Sequence, residues 1–150
     1  MGHEAYIPCT NKKVNVMNKH AKDTSKLTKN QSLVLDALSG ARQPLGAYAL
    51  LDRLRDVGFK APLQVYRPLD QLAALGLVHR LESLNAWTVC CAESHQGTPI
   101  FAICNDCGMV TEHLDEQLSS TIEALPEISG FVPDRSIVEI YGQCGECSGQ

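Results

Sequence analysis

The sequence predicts an α+β chain in two parts: a three-helix domain carrying a β-hairpin, then a small mixed half held together by metal. Three observations predict it. Apolar residues recur at helical spacing three times before residue 76 and then give way to strand-like runs. Two Cys-x-x-Cys pairs, Cys104/Cys107 and Cys144/Cys147, lie in the second half. The charge divides at the same place. Residues 1–81 hold 12 of the 13 Lys+Arg and 6 of the 17 Asp+Glu, a balance of +6, whereas residues 82–150 hold one basic and eleven acidic residues, a balance of −10.

Residues 1–26 are polar and rich in Lys and Asn, with neither helical nor strand periodicity, and read as a flexible basic arm. Thr28 followed three residues later by Gln31 forms a capping-box pattern ahead of Leu35 and Leu38. It predicts a helix over 29–38 that Ser39-Gly40 ends. After Pro44, Ala47, Leu50, Leu51 and Leu54 fall at i, i+3, i+4 and i+7, one face of a second helix that Gly58 stops. A third helix over 62–75 carries Leu69, Leu72, Ala73 and Leu75 and closes at Gly76. Pro68 lies inside it; having no N–H and crowding the preceding turn, it is expected to delay that helix or kink it. Strands over 77–82 and 87–91 then form a hairpin around Ser83-Leu84-Asn85-Ala86. Three short helices and a hairpin wing in this order make a winged helix-turn-helix, whose use is to place one helix in a DNA major groove. The positive balance of this half favours that use over an inert helical domain.

In the second half, strands over 100–103 and 109–113 flank Cys104-Asn105-Asp106-Cys107-Gly108. Leu114, Leu118, Ile122 and Leu125 trace one helical stripe, and a last strand over 136–141 leads into Cys144-Gly145-Glu146-Cys147. Three strands and a helix bury too little apolar surface to stand alone, so this half is expected to draw on metal and on edge pairing with a second copy, giving a homodimer. The expected organisation is an arm over 1–26, a DNA-binding domain over 27–91, a hinge over 92–99 and a dimerisation and metal-binding domain over 100–150.

No apolar run approaches the length of a bilayer span, and the N-terminus has no apolar stretch ahead of a small-residue cleavage site. The expectation is a cytoplasmic protein without a membrane partner. In a reducing compartment, seven cysteines in 150 residues are better explained by metal than by disulfides. Four thiolates in two tight turns suit the closed tetrahedral shell of a structural zinc ion, so Cys104, Cys107, Cys144 and Cys147 are the predicted site. Such a shell leaves no position for a reacting water. No Ser-His-Asp, paired-carboxylate or deaminase pattern occurs in the chain, which is therefore not read as an enzyme. A mixed set of His79, Cys90, His95 and Glu112, drawn from both halves, could hold a second zinc at the hinge. Strand neighbours point to opposite faces, which argues against pairing Cys90 with Cys91, or Glu112 with His113, as ligands of one ion. Spacing alone leaves surface histidines and a buried cysteine as the competing explanation.

Several strings together resemble the ferric uptake regulator superfamily and, within it, the zinc uptake regulators. These are Ala47-Tyr48-Ala49-Leu50-Leu51, Val65-Tyr66-Arg67, Leu77-Val78-His79-Arg80-Leu81-Glu82-Ser83-Leu84-Asn85 and Cys104-x-x-Cys107-Gly108. The resemblance spans about residues 27–148. It implies a homodimeric repressor that binds palindromic operators when zinc is plentiful and silences zinc-uptake genes. It further implies two zinc ions per subunit, a structural one on the four cysteines and a regulatory one on His79, Cys90, His95 and Glu112. For DNA it carries over to Tyr48, Tyr66 and Arg67. Apart from the resemblance, Lys60, Arg80 and Arg42 are candidate phosphate contacts, with a solvated surface charge as the competing explanation for each. Arg67 has the fork that guanine O6 and N7 require. The alternative within the superfamily is an iron, manganese or peroxide sensor; the thiolate of Cys90 favours zinc. The chain departs from its relatives in Pro68, in lacking an amphipathic helix before Leu27, and in having Glu93-Ser94-His95-Gln96-Gly97 where iron sensors carry a histidine-rich run. The last departure argues against a third metal site.

Overall fold

The computed structural model describes residues 24–91 and 97–149, which group into two compact units dividing between Cys90 and Cys91. Most of the basic arm and His95 lie outside the described residues.

In the N-terminal unit, a single 3-10 turn over Thr24–Lys26 precedes helix α1, Lys29–Ser39. The capping box forms as its residues dictate. Thr28 Oγ1 accepts the Gln31 N–H at 3.3 Å, and Gln31 Oε1 accepts the Thr28 N–H at 2.7 Å. Helix α2, Ala47–Leu54, buries Ala47, Leu50, Leu51 and Leu54, the four positions that the period predicts. A 3-10 turn over Arg55–Val57 follows, and Gly58 ends it at φ 104°, a left-handed conformation that a side chain would strain. Helix α3, Leu63–Ala74, runs without interruption through Pro68, whose ring is buried with Val65, Leu69 and Leu72. The helix therefore does not start late: five residues precede the proline within it, and the ring fills core space in compensation for one lost hydrogen bond.

Strands β1, Val78–Leu81, and β2, Ala86–Val89, pair antiparallel with Val78 opposite Val89 and Arg80 opposite Trp87. Asn85 closes the turn at φ 46°, a conformation asparagine tolerates. Sequence reading missed one element of this hairpin. Leu45, in the loop before α2, exchanges both backbone hydrogen bonds with Trp87, at 3.0 and 2.9 Å, and adds a short third rung to the sheet. The core of the unit joins Val34 of α1, Leu50 of α2, Leu69 and Leu72 of α3, and Val78 and Trp87 of the hairpin.

In the C-terminal unit, β3, Pro99–Cys104, lies at the centre of a three-stranded sheet. On one side β4, Val110–Leu114, runs antiparallel to it; on the other β5, Val138–Gly142, runs parallel. A parallel return needs a long crossover, here supplied by α4, Glu116–Glu123, and α5, Leu125–Ser129. The single helical stripe expected from Leu114 to Leu125 is thus divided: Leu114 ends β4, and Pro126 opens the separate α5. A last short helix, α6, covers Gly145–Ser148. The buried apolar residues here are few, chiefly Ile100, Phe101, Ile103 and Val110.

Candidate metal centre

Register brings the four cysteines together. β3 ends at Cys104, which pairs with Gly142 of β5, so the chain leaving β5 delivers Cys144 beside Cys104. After Cys104 the backbone folds into a knuckle: the Gly108 N–H reaches the Cys104 carbonyl at 3.0 Å, and the Cys104 N–H reaches the Met109 carbonyl at 2.9 Å. This turn needs Gly108 at φ 70°. A second knuckle forms where the Cys147 and Ser148 N–H groups both bond the Cys144 carbonyl, at 3.1 and 2.9 Å. The two knuckles are joined by Asn105 N–H to the Gly142 carbonyl at 2.8 Å and by Gln143 Nε2 to Asp106 Oδ2 at 2.8 Å. Neither cross-link was predicted, because residues 37 positions apart carry no local signal of meeting.

The sulfurs of Cys104, Cys107, Cys144 and Cys147 all lie within 4.8 Å of one another, and Cys107 Sγ is 3.7 Å from Cys144 Sγ. A tetrahedral zinc with Zn–S bonds of about 2.3 Å sets its sulfurs about 3.8 Å apart. The donor set and its spacing therefore fit zinc. Acidity points the same way. The N–H groups of Cys107 and Cys144 aim at the Cys104 sulfur, the latter at 3.3 Å, and pull that thiol down to about 6. The Met109 N–H favours a Cys107 thiolate, but hydrogen bonding with Cys104 and burial outweigh it and leave the thiol raised. Hydrogen bonds from Cys144 and Cys107, with burial, raise Cys147 as well. The Cys104 thiolate thus forms readily while Cys107 and Cys147 resist, and a dication held among the sulfurs would favour their ionisation.

The remaining predicted residues lie as follows. His79 and Cys90 are half-buried, and their ligand atoms come within 4.8 Å on one face of the β1–β2 hairpin. That face follows from the register, since Leu77 holds the Cys90 N–H at 2.9 Å and residues 77, 79 and 90 then project to one side. Glu112, on β4 of the other unit, accepts the Cys91 N–H on Oε2 at 2.8 Å. Tyr48 is 68% exposed on the first turn of α2. Arg67 and Lys60 are exposed at α3 and its approach. Tyr66 is half-buried, its ring edge-on to Trp87 at 5.9 Å. Arg80 is held within the hairpin, stacked 5.3 Å from the Trp87 ring, donating a hydrogen bond to Asn85 and ion-paired with Glu82.

Fold and cysteine cluster together define a two-unit protein of mixed helix and strand with four cysteines gathered at zinc spacing. No family model matches the chain. It is 34% identical over 124 residues to the zinc uptake regulation protein of Escherichia coli (strain K12), a match covering 81% of this chain and 72% of that protein. Among solved structures it is similar to holo XcZur, at 38% identity and TM-score 0.75, over 83% of this chain and 87% of that one. It is likewise similar to a zinc uptake regulator complexed with zinc and DNA, at 33% identity and TM-score 0.77, over 83% and 84% of the two chains. The chain belongs to the zinc uptake regulator family.

Proposed function

We infer that this protein is a zinc-responsive DNA-binding repressor of zinc-uptake genes, with zinc as co-repressor. The observation that carries the reading is the four-sulfur cluster at zinc spacing in a chain 33% identical to a zinc uptake regulator bound to zinc and DNA. The N-terminal unit serves as a winged helix-turn-helix: α3 enters the major groove and the β1–β2 hairpin is the wing. Tyr48, Tyr66, Arg67 and Lys60 meet the operator, Arg67 at a guanine. Exposure of Tyr48, Arg67 and Lys60 supports this. For Tyr66, the edge contact with Trp87 leaves part of the ring to pack on a base or backbone.

The C-terminal unit pairs two copies into a homodimer on a palindromic operator, working in the cytoplasm. Ile140 and Tyr141 on the outer strand β5, with Phe131 and Val132 before it, expose apolar surface that suits such pairing. One zinc per subunit is structural, on Cys104, Cys107, Cys144 and Cys147. A second is regulatory, on His79, Cys90, His95 and Glu112; its support is the facing pair His79 and Cys90. By bridging the two parts of the chain, that ion selects among orientations of the DNA-binding units the one that matches successive major grooves. The deciding experiment is fluorescence anisotropy on a palindromic operator across buffered free zinc, with ferrous iron and manganese as comparators. Binding switched on by scarce zinc is expected, and Cys90→Ser raises the zinc required by at least tenfold. Binding driven by iron or manganese instead assigns the chain to the sibling sensors.

A further inference from the structure

The exposed side of α3 presents an apolar side chain that the family reading leaves unused. Leu63, the first residue of the helix, is 56% exposed, while Val65, Pro68, Leu69 and Leu72 turn into the core. Four residues on, Arg67 is exposed as well, and residues four apart share a helix face. Gln64, between them, has its side-chain oxygen engaged elsewhere: Oε1 accepts the Lys60 N–H at 2.7 Å and the Ala61 N–H at 3.0 Å, fixing the entry to the helix. The first two turns of α3 therefore offer a leucine and a guanidinium side by side.

We propose that Leu63 is a specificity-determining residue that packs on the C5 methyl of a thymine next to the guanine read by Arg67. The proposal rests on the reading of α3 as the helix that enters the major groove. Thymine is the base that displays a methyl group there, and an aliphatic side chain on the groove-facing side of a recognition helix matches it. Four residues of α-helix advance about 6 Å, and successive base pairs lie about 3.4 Å apart. The thymine thus falls within about two base pairs of the guanine.

The test uses the full-length, zinc-loaded protein to enrich a site from a random duplex pool. Each thymine of that site is then replaced singly by uracil, which removes the methyl and keeps the pairing, and affinities are compared for the wild type and Leu63→Ala. One thymine per half-site, within about two base pairs of a guanine, should lose about three- to fivefold in affinity on conversion to uracil with the wild type. At that position Leu63→Ala should bind thymine and uracil alike, whereas Arg67→Ala should lose the guanine preference and keep the thymine preference. A Leu63→Ala variant that keeps the wild-type ratio of thymine to uracil at every position overturns the inference and leaves the repressor reading standing. Failure of the zinc-loaded protein to enrich any sequence overturns that reading, and this inference with it.

Discussion

The two units of this chain solve the same problem by different means. The N-terminal unit closes around an apolar core, with Val34, Leu50, Val65, Leu69 and Leu72 fully buried on three helices and Val78 and Trp87 sealing them from the hairpin. The C-terminal unit buries few apolar side chains, and its strand β5 leaves Ile140 and Tyr141 exposed. In place of a core it sets four thiols at the point where β3, β5 and two knuckles converge. Apolar burial stabilises at any metal concentration, whereas a thiolate cluster stabilises only when a cation is present. The chain thus joins a unit whose core needs no metal to one that relies on a cluster of thiols.

Removing the metal should separate them most sharply. Structural zinc sites contribute on the order of 10 kcal/mol at neutral pH, more than a sheet of this size can replace. Chelation, or Cys104→Ser with Cys144→Ser, should therefore unfold the C-terminal unit, seen as loss of amide protection in β3 and β5. The single tryptophan, Trp87, sits in the other core, so its fluorescence transition in urea should barely move. If chelation unfolds both units together, the division of labour fails. The converse perturbation is Leu69→Ala, which opens a cavity where the side chain is fully buried. It should cost about 3 kcal/mol by the Trp87 transition and leave zinc content unchanged.

The C-terminal unit should also depend on pH through its thiols. Cys107 and Cys147 have raised thiols and enter the zinc site from the protonated state, while Cys104, drawn down to about 6, is already a thiolate at pH 7. Zinc uptake therefore releases at least two protons, and the bound form is favoured as pH rises. Apparent affinity should climb at least a hundredfold per pH unit near neutrality, and more steeply below about pH 6, where Cys104 must also lose its proton. Competition titrations against a zinc chelator at several pH values measure the slope. A slope of one proton or fewer would mean that the thiols are already ionised in the metal-free protein.

This contrast was partly legible in the sequence. Helices α1 and α2 were readable because their signals are local: a capping box at Thr28 and Gln31, and a period of 3.6 from Ala47 to Leu54. The four cysteines were readable because a tight turn of two intervening residues fixes each pair. The parallel pairing of β5 with β3 was not, since partners such as Ile100 and Val138 are far apart in sequence and the crossover is hidden in a helical stripe that breaks at Pro126. Leu45 on Trp87 was illegible for the same reason. Pro68 misled differently: the rule that proline disrupts a helix is an average, and here the buried ring offsets it. The mixed site around His79 and Cys90 drew its coherence from family resemblance, because ligands spread over strands and a linker leave no spacing pattern.

The smallest effect probes how far the stability of the N-terminal unit rests on caps as well as core. Thr28 Oγ1 satisfies one of the N–H groups that open α1, and Thr28→Ala should cost about 1 kcal/mol. Thr28→Ser should retain most of it. Gln31 does more than close the box: its side-chain nitrogen donates to Gln71 Oε1 at 2.9 Å, tying α1 to α3 from a position that is itself buried. Gln31→Ala should therefore exceed Thr28→Ala, because it also strands the Gln71 oxygen. Both variants should shift the Trp87 transition and leave amide protection in β3 and β5 as in the wild type. Equal costs for the two would mean that the link to Gln71 adds nothing, and that α1 is held to α3 by Val34 and its apolar neighbours alone.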